Sequence, residues 1–281
     1  GQYMKAFEEF HHQSPEFWAL VKFVSQELGY TDSNIGQVRS YSEDEIIELL
    51  DSKDYGVVYE LVRLVSYYSM RRAQLLNTFA MSNLMTIEEA RQAYESLRTI
   101  YDTGHYLCKI PWNKQKGDKH HIAYLSAIVN ILTEHTLRAD GFFTGKKCFV
   151  DDPNKYLYVT DHKGYIVGAA SRRMDGAYPD VVNPRIVWEI KEYYGTTSFG
   201  SRVADGVYET QLDGYELSAL SDRSQHPIHH VLIVDDYFTW WTKGKSYLCR
   251  LVDILNEGLV DEVLIGREVL TRWPEVLRSV L

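Results

Sequence analysis

Two acids and a lysine stand among strand-forming residues in AYPDVVNPRIVWEIK, residues 177–191. Asn183 and Pro184 favour the first two positions of a β-turn. Pairing about a turn at 183–186 places Asp180 opposite Glu189. Opposed Cβ atoms lie about 4.5–5.5 Å apart, where like charges repel unless something offsets them; a divalent cation does so. Glu189 and Lys191 are two apart, so they share a strand face at roughly 6.6 Å, with Ile186, Trp188 and Ile190 on the opposite, core-facing side. Two carboxylates suit Mg²⁺, a hard cation that prefers oxygen and keeps several waters, with Mn²⁺ as its substitute. Such an ion polarises a phosphodiester and lowers the pKa of a bound water, while a neighbouring lysine orients or deprotonates that nucleophile. The plainer alternative is a surface hairpin with a solvated salt bridge.

The elements that must position these residues can be read from periodicity. Residues 1–105 are expected to form a helical accessory region, with apolar residues recurring at three and four, as in Phe17, Leu20, Val21 and Val24. Ser42 with Glu45, and Thr86 with Glu89, have the spacing of capping boxes. CKIPWNKQKGDKHH, residues 108–121, reads as an exposed loop; its Lys109, Lys114, Lys116 and Lys119 beside Trp112 also suit phosphate contact. From there to residue 281 the expected order is α-β-β-β-α-β-α-β. The helix 121–137 carries the stripe Ile122, Leu125, Val129 and Leu132, and a hairpin turns at His162-Lys163-Gly164. The sheet strands are 185–194, 229–236 and 261–269.

In this setting Asp180 after Pro179, followed by Glu189-Ile190-Lys191, resembles the PD-(D/E)XK signature of the restriction-endonuclease-like nuclease superfamily. Gln211-Leu212-Asp213-Gly214-Tyr215 on the next helix looks like the QxxxY motif of some of its branches. The resemblance implies an α/β fold with an αβββαβ core over residues 106–281, a mixed sheet flanked by helices. It implies Mg²⁺ on Asp180 and Glu189, catalysis by these with Lys191, and positioning by Gln211 and Tyr215. A further acid often comes from the helix before the sheet; Glu134 is the first candidate and Asp175 the second. Arg172, Arg173 and Arg202 flank the site in sequence as phosphate contacts.

The expected activity is that of a Mg²⁺-dependent endodeoxyribonuclease on double-stranded DNA, most like a type II restriction or related defence enzyme. A structure-directed repair nuclease and an inactive nuclease-fold binding protein are the alternatives. The formal charge of −9 argues against simple nucleic-acid binding, yet residues 1–55 carry −7 of it, with eleven acids against four bases. No apolar run reaches the roughly 20 residues of a membrane span and no signal peptide is evident, so the expected place is a prokaryotic cytoplasm. A palindromic target would call for a homodimer. Cys108, Cys148 and Cys249 have no disulfide or zinc spacing, and the paired histidines point in different directions.

Overall fold

The computed structural model describes residues 3–115, 118–152, 154–194 and 201–281, the side chains of 114, 115, 118–120 and 201 excepted. The chain begins with α1 (Pro15–Leu28), the short ribbon β1 (Thr31–Asp32) and β2 (Gln37–Val38), α2 (Glu43–Ser52) and α3 (Tyr59–Leu75). A π turn (Leu76–Ala80) carries α3 into α4 (Met81–Asn83), and α5 (Ile87–Thr103) follows. Both capping boxes form: Ser42 and Thr86 hydroxyls accept from the N–H groups of Glu45 and Glu89, whose carboxylates accept from the cap N–H in return.

The stretch 108–121 is not a simple loop. It contains an antiparallel hairpin, β3 (Trp112–Gln115) and β4 (Asp118–Ile122). After α6 (Tyr124–Ala139) come β5 (Tyr158–Thr160), β6 (Ile166–Ala169), β7 (Gly176–Tyr178), β8 (Ile186–Lys191), α7 (Ser201–Arg223), β9 (His229–Val234), α8 (Lys245–Asn256), β10 (Glu262–Ile265) and α9 (Glu268–Arg278). The protein is thus mixed α/β, and its largest sheet has the order β10-β9-β8-β7. Strands β8, β9 and β10 are parallel, linked through α7 and α8, and β7 runs antiparallel to β8. Burial on both faces explains why β8 and β9 read as nearly continuous apolar runs. The three consecutive strands expected before the second helix do not share one sheet: β5 and β6 form their own ribbon, from which Tyr158 also makes an isolated bridge to Val182 of the connection beyond β7.

That connection replaces the tight turn expected at 183–186. The β7–β8 register is Gly176↔Trp188 and Tyr178↔Ile186, so residues 179–185 all lie between the strands. Asn183 has a left-handed backbone (φ 53°) and is engaged by β5. Its N–H donates to Tyr158 O (2.8 Å), its Oδ1 accepts from Thr160 N–H (2.8 Å), and its Nδ2 donates to Thr160 Oγ1 (2.8 Å). Ribbon pairing outcompetes the local turn preference.

One sheet face packs on α5, α6 and α9, where Ile128, Trp188, Ile233 and Trp273 are fully buried. The other packs on α7 and α8, and the N-terminal helices continue that core outward through Phe17 and Val65, in one cluster with Leu248 of α8. Fully buried Arg72 of α3 joins these layers. Its Nη1 donates to Asp253 of α8 (3.0 and 3.1 Å) and its Nη2 to Ser25 of α1 (3.0 Å).

Candidate active site

The register of β7 and β8 decides which acid meets Glu189. Asp175, immediately before β7, donates its N–H to Trp188 O (3.0 Å) and accepts at Oδ2 from Ile190 N–H (2.7 Å), bracketing Glu189 on the neighbouring strand. Asp180 does not oppose Glu189 as expected. It lies exposed in the long connection, its carboxylate accepting from Val181 N–H (2.7 Å). Asp175, the second candidate for a further acid, takes the place expected for Asp180.

Glu189 and Lys191 do share one face, the one turned toward α7. The Lys191 ammonium donates to Glu189 Oε1 (2.6 Å) and Glu209 Oε2 (3.0 Å). Arg172 enters the same cluster: its Nη2 lies 3.4 Å from Glu189 Oε1 and 3.0 Å from Glu209 Oε2, and its Nε 3.2 Å from Asp213 Oδ1. Three carboxylates, Glu189, Glu209 and Asp213, therefore surround two cations, with Asp175 bonded to the backbone of Ile190 nearby. Glu189 and Asp213 are 5% and 4% exposed, and Glu189 Oε2 and Asp213 Oδ2 are buried without a hydrogen-bond partner. A buried acceptor left unpaired costs on the order of 1–3 kcal/mol, more when charged, so the cluster is not self-satisfying.

The surroundings shift the protonation of these groups. Burial, aided by the charge of Glu189 and a side-chain hydrogen bond to it, pushes Asp213 up to about 7; Asp175, which accepts from Ile190 N–H, is exposed to solvent. Burial opposes the charge on Lys191, but Glu189 and Glu209 outweigh it and hold the ammonium above its ordinary value. Glu209 is lowered because Lys191 and Arg172 overcome its own desolvation. The cluster floors an open cleft of about 500 Å³ lined by Arg172, Asp175, Glu189, Lys191, Arg202 and Glu209. Gly206 lets α7 approach this floor, since a Cβ there would stand 2.9 Å from Tyr193 Oη and 3.5 Å from Lys191 Cε.

The remaining predicted residues separate into those at the cleft and those away from it. Arg172 and Arg202 line it, Arg202 with its guanidinium 5.4 Å from the Tyr193 ring centroid. Arg173 is exposed, beside the Tyr156 ring (5.6 Å). Gln211 turns toward Trp18, Tyr30 and Arg250, lining a different pocket, and Tyr215 is 58% exposed; neither belongs to the cluster. Glu134 is buried on the opposite side of the sheet. It accepts from the N–H groups of Leu107 (2.9 Å) and Cys108 (2.8 Å) and from Arg138 Nε (2.9 Å), so it anchors the chain before β3 and is not placed to share an ion with Glu189. The basic hairpin begins near the cleft, because Asn113 Nδ2 donates to Tyr194 O (2.9 Å), three residues beyond Lys191. Lys116 and the side chains of Lys114 and Lys119 lie outside the described residues. All three cysteines are free thiols.

Sequence reasoning missed Glu209 and Asp213. A signal exists: Asp205, Glu209 and Asp213 recur every four residues along α7, a like-charge stripe that disfavours a helix unless cations face it. It also missed Asp235 at the end of β9, which accepts from Tyr193 N–H (2.5 Å), Tyr194 N–H (3.0 Å) and Trp240 Nε1 (3.2 Å) and so fixes the chain leaving Lys191.

Among the described residues no three His, Cys, Asp or Glu side chains already close on a point that could hold a metal ion. The donor set nevertheless fits a hard dication. Carboxylates outnumber cations, two carboxylate oxygens lack donors, and the cleft admits the waters that Mg²⁺ retains.

A mixed α/β chain with an ion-lined cleft at the β7–β8 pair is thus defined. It belongs to the family described as Domain of unknown function (DUF7687), whose model matches residues 85–280. A second model, described as Domain of unknown function (DUF7690), matches residues 4–79. Residues 80–84 lie between the two matched ranges, and α5 packs on α6 within the second. No curated protein and no solved structure matches the chain. Among the described residues no helix is long and apolar enough to cross a membrane.

Proposed function

We propose that the chain is a divalent-metal-dependent endodeoxyribonuclease of the restriction-endonuclease-like kind. The observation that supports this reading most is the juxtaposition of Asp175, just before β7, with Glu189 and Lys191 of β8 at the floor of an open cleft. This keeps the acid, acid and lysine chemistry of the resemblance while exchanging Asp180 for Asp175. Asp175 and Glu189 would hold the ion. When bound, Mg²⁺ supplies positive charge to the scissile phosphate and acidifies a coordinated water.

The protein's own groups then have distinct tasks. The Lys191 ammonium, donating to two carboxylates, has no lone pair with which to take a proton; it orients the attacking water and balances charge that develops on the phosphate. Arg172 and Arg202, at the cleft wall, are suited to the flanking phosphates.

The test is incubation of the purified protein with plasmid, linear and single-stranded DNA in Mg²⁺ or EDTA, with Asp175→Asn and Asp180→Asn alongside. Cleavage in Mg²⁺ only, lost in Asp175→Asn and kept in Asp180→Asn, is expected. Discrete fragments mark a site-specific restriction enzyme, and trimming from ends a structure-directed nuclease. Inertness of the wild type on every substrate overturns the reading in favour of a binding scaffold.

A further inference from the structure

We infer that Asp213, on the helix after the Glu-x-Lys strand, shares the divalent cation with Glu189, and that Arg172 competes with the cation for these two carboxylates. This rests on the metal-dependent reading above. Glu189 comes from β8 and Asp213 from the middle of α7, and both are more than nine-tenths buried. Each has one oxygen bound to Arg172 and one buried oxygen, Glu189 Oε2 and Asp213 Oδ2, with no donor. Two acids brought together this way repel one another unless a shared proton or a positive charge stands between them. Arg172 meets that need only in part, since its guanidinium reaches one oxygen of each and also serves Glu209. A dication with its own waters could engage the two oxygens that Arg172 leaves unpaired.

Glu209 differs from Asp213 although it lies one turn away on the same helix. Its side chain is 38% exposed, and its Oε2 is shared between Arg172 and Lys191. Its role is to neutralise those cations. Gly214, next to Asp213, sets the depth of α7: a Cβ there would stand 2.4 Å from Leu259 O, so the helix is seated against the chain after α8. That contact holds Asp213 at the level of Glu189. Arg172, by contrast, lies between β6 and β7, outside both strands. An exchange of partners by this side chain alone would open the pair to a cation while leaving the guanidinium at the cleft wall.

The experiment titrates Mn²⁺ into the metal-free, full-length protein by calorimetry without nucleic acid. Asp213→Asn should weaken Mn²⁺ binding at least tenfold, whereas Glu209→Gln should stay within about threefold of wild type. Arg172→Met, which leaves both acids in place, should bind Mn²⁺ at least threefold more tightly and keeps the test open should Asp213→Asn fail to fold. Wild-type affinity in Asp213→Asn, or weaker binding in Arg172→Met, overturns the inference. If Asp175→Asn alone then loses the ion, the nuclease reading survives without Asp213. A wild type that binds no Mn²⁺ overturns both.

Discussion

Buried carboxylates occur in two settings around this sheet, and they are satisfied differently. Glu134 and Asp235 are surrounded by donors that do not ionise: backbone N–H groups of Leu107 and Cys108 for one, of Tyr193 and Tyr194 with the Trp240 indole for the other, plus Arg138 beside Glu134. Each is a knot that fixes a piece of chain. Glu189 and Asp213 instead depend on the Arg172 side chain, Glu189 on Lys191 as well, and retain oxygens with no donor. A fold has little use for the second arrangement as mere scaffolding, because apolar side chains of similar volume would hold the sheet and helix together at no electrostatic cost. Burial of an acid therefore carries little information by itself; the kind of partner that answers its charge is what tells the two settings apart.

The comparison makes opposite demands on substitutions in the two regions. Lys191→Ala should slow single-turnover cleavage at saturating enzyme by at least a thousandfold, about 4 kcal/mol of barrier, with folding intact. A rate within about tenfold of wild type would remove Lys191 from the chemistry. Glu134→Ala should show the reverse, losing about 3 kcal/mol or more of stability in denaturant unfolding because Arg138 and two N–H groups lose their acceptor. Its Mn²⁺ affinity at temperatures where it stays folded should match wild type.

A further buried acid sharpens the contrast through pH. Burial pushes Glu268, which accepts from Met4 and Ile265 N–H, up to about 7. The folded state thus holds this proton more tightly than the unfolded chain. Its contribution to stability is present below about 4.5, where unfolded glutamate titrates, and is lost as pH rises through about 7. Thermal melts from pH 5 to 8 should fall less steeply for Glu268→Gln than for wild type. Gly206→Ala should be milder, because the new methyl meets the movable ends of Tyr193 and Lys191; about a tenfold loss of rate is expected, with stability within about 1 kcal/mol. Asp180→Asn and Tyr215→Phe should each leave cleavage within about twofold, since both side chains face solvent away from the cluster.

The parts of this architecture that local chemistry controls are legible in the sequence. Capping boxes at Ser42 and Thr86 form, and the alternation along 186–191 sends Trp188 into one core and Glu189 toward α7. What misled was pairing at a distance. Asn183-Pro184 has the composition of a tight turn, but β5 claims the backbone and side chain of Asn183, moving the acid beside Glu189 from Asp180 to Asp175. Gln211 and Tyr215 share a helix face by spacing, and spacing alone cannot reveal which face meets the strand; the packing of α7 against β8 presents Asp205, Glu209 and Asp213 there.

Arg72 has a consequence for how the chain could be divided. Its sealed guanidinium and the Asp253 that answers it come from the segments matched by different family models, 4–79 and 85–280. Cutting the polypeptide between α4 and α5 would leave each half with one member of a charge pair set in an oily surface. Neither fragment alone is expected to remain soluble. Together they carry what mutual rescue needs, and co-expression of the two as separate chains is expected to yield a non-covalent heterodimer, a natural split protein whose reassembly could report on their affinity.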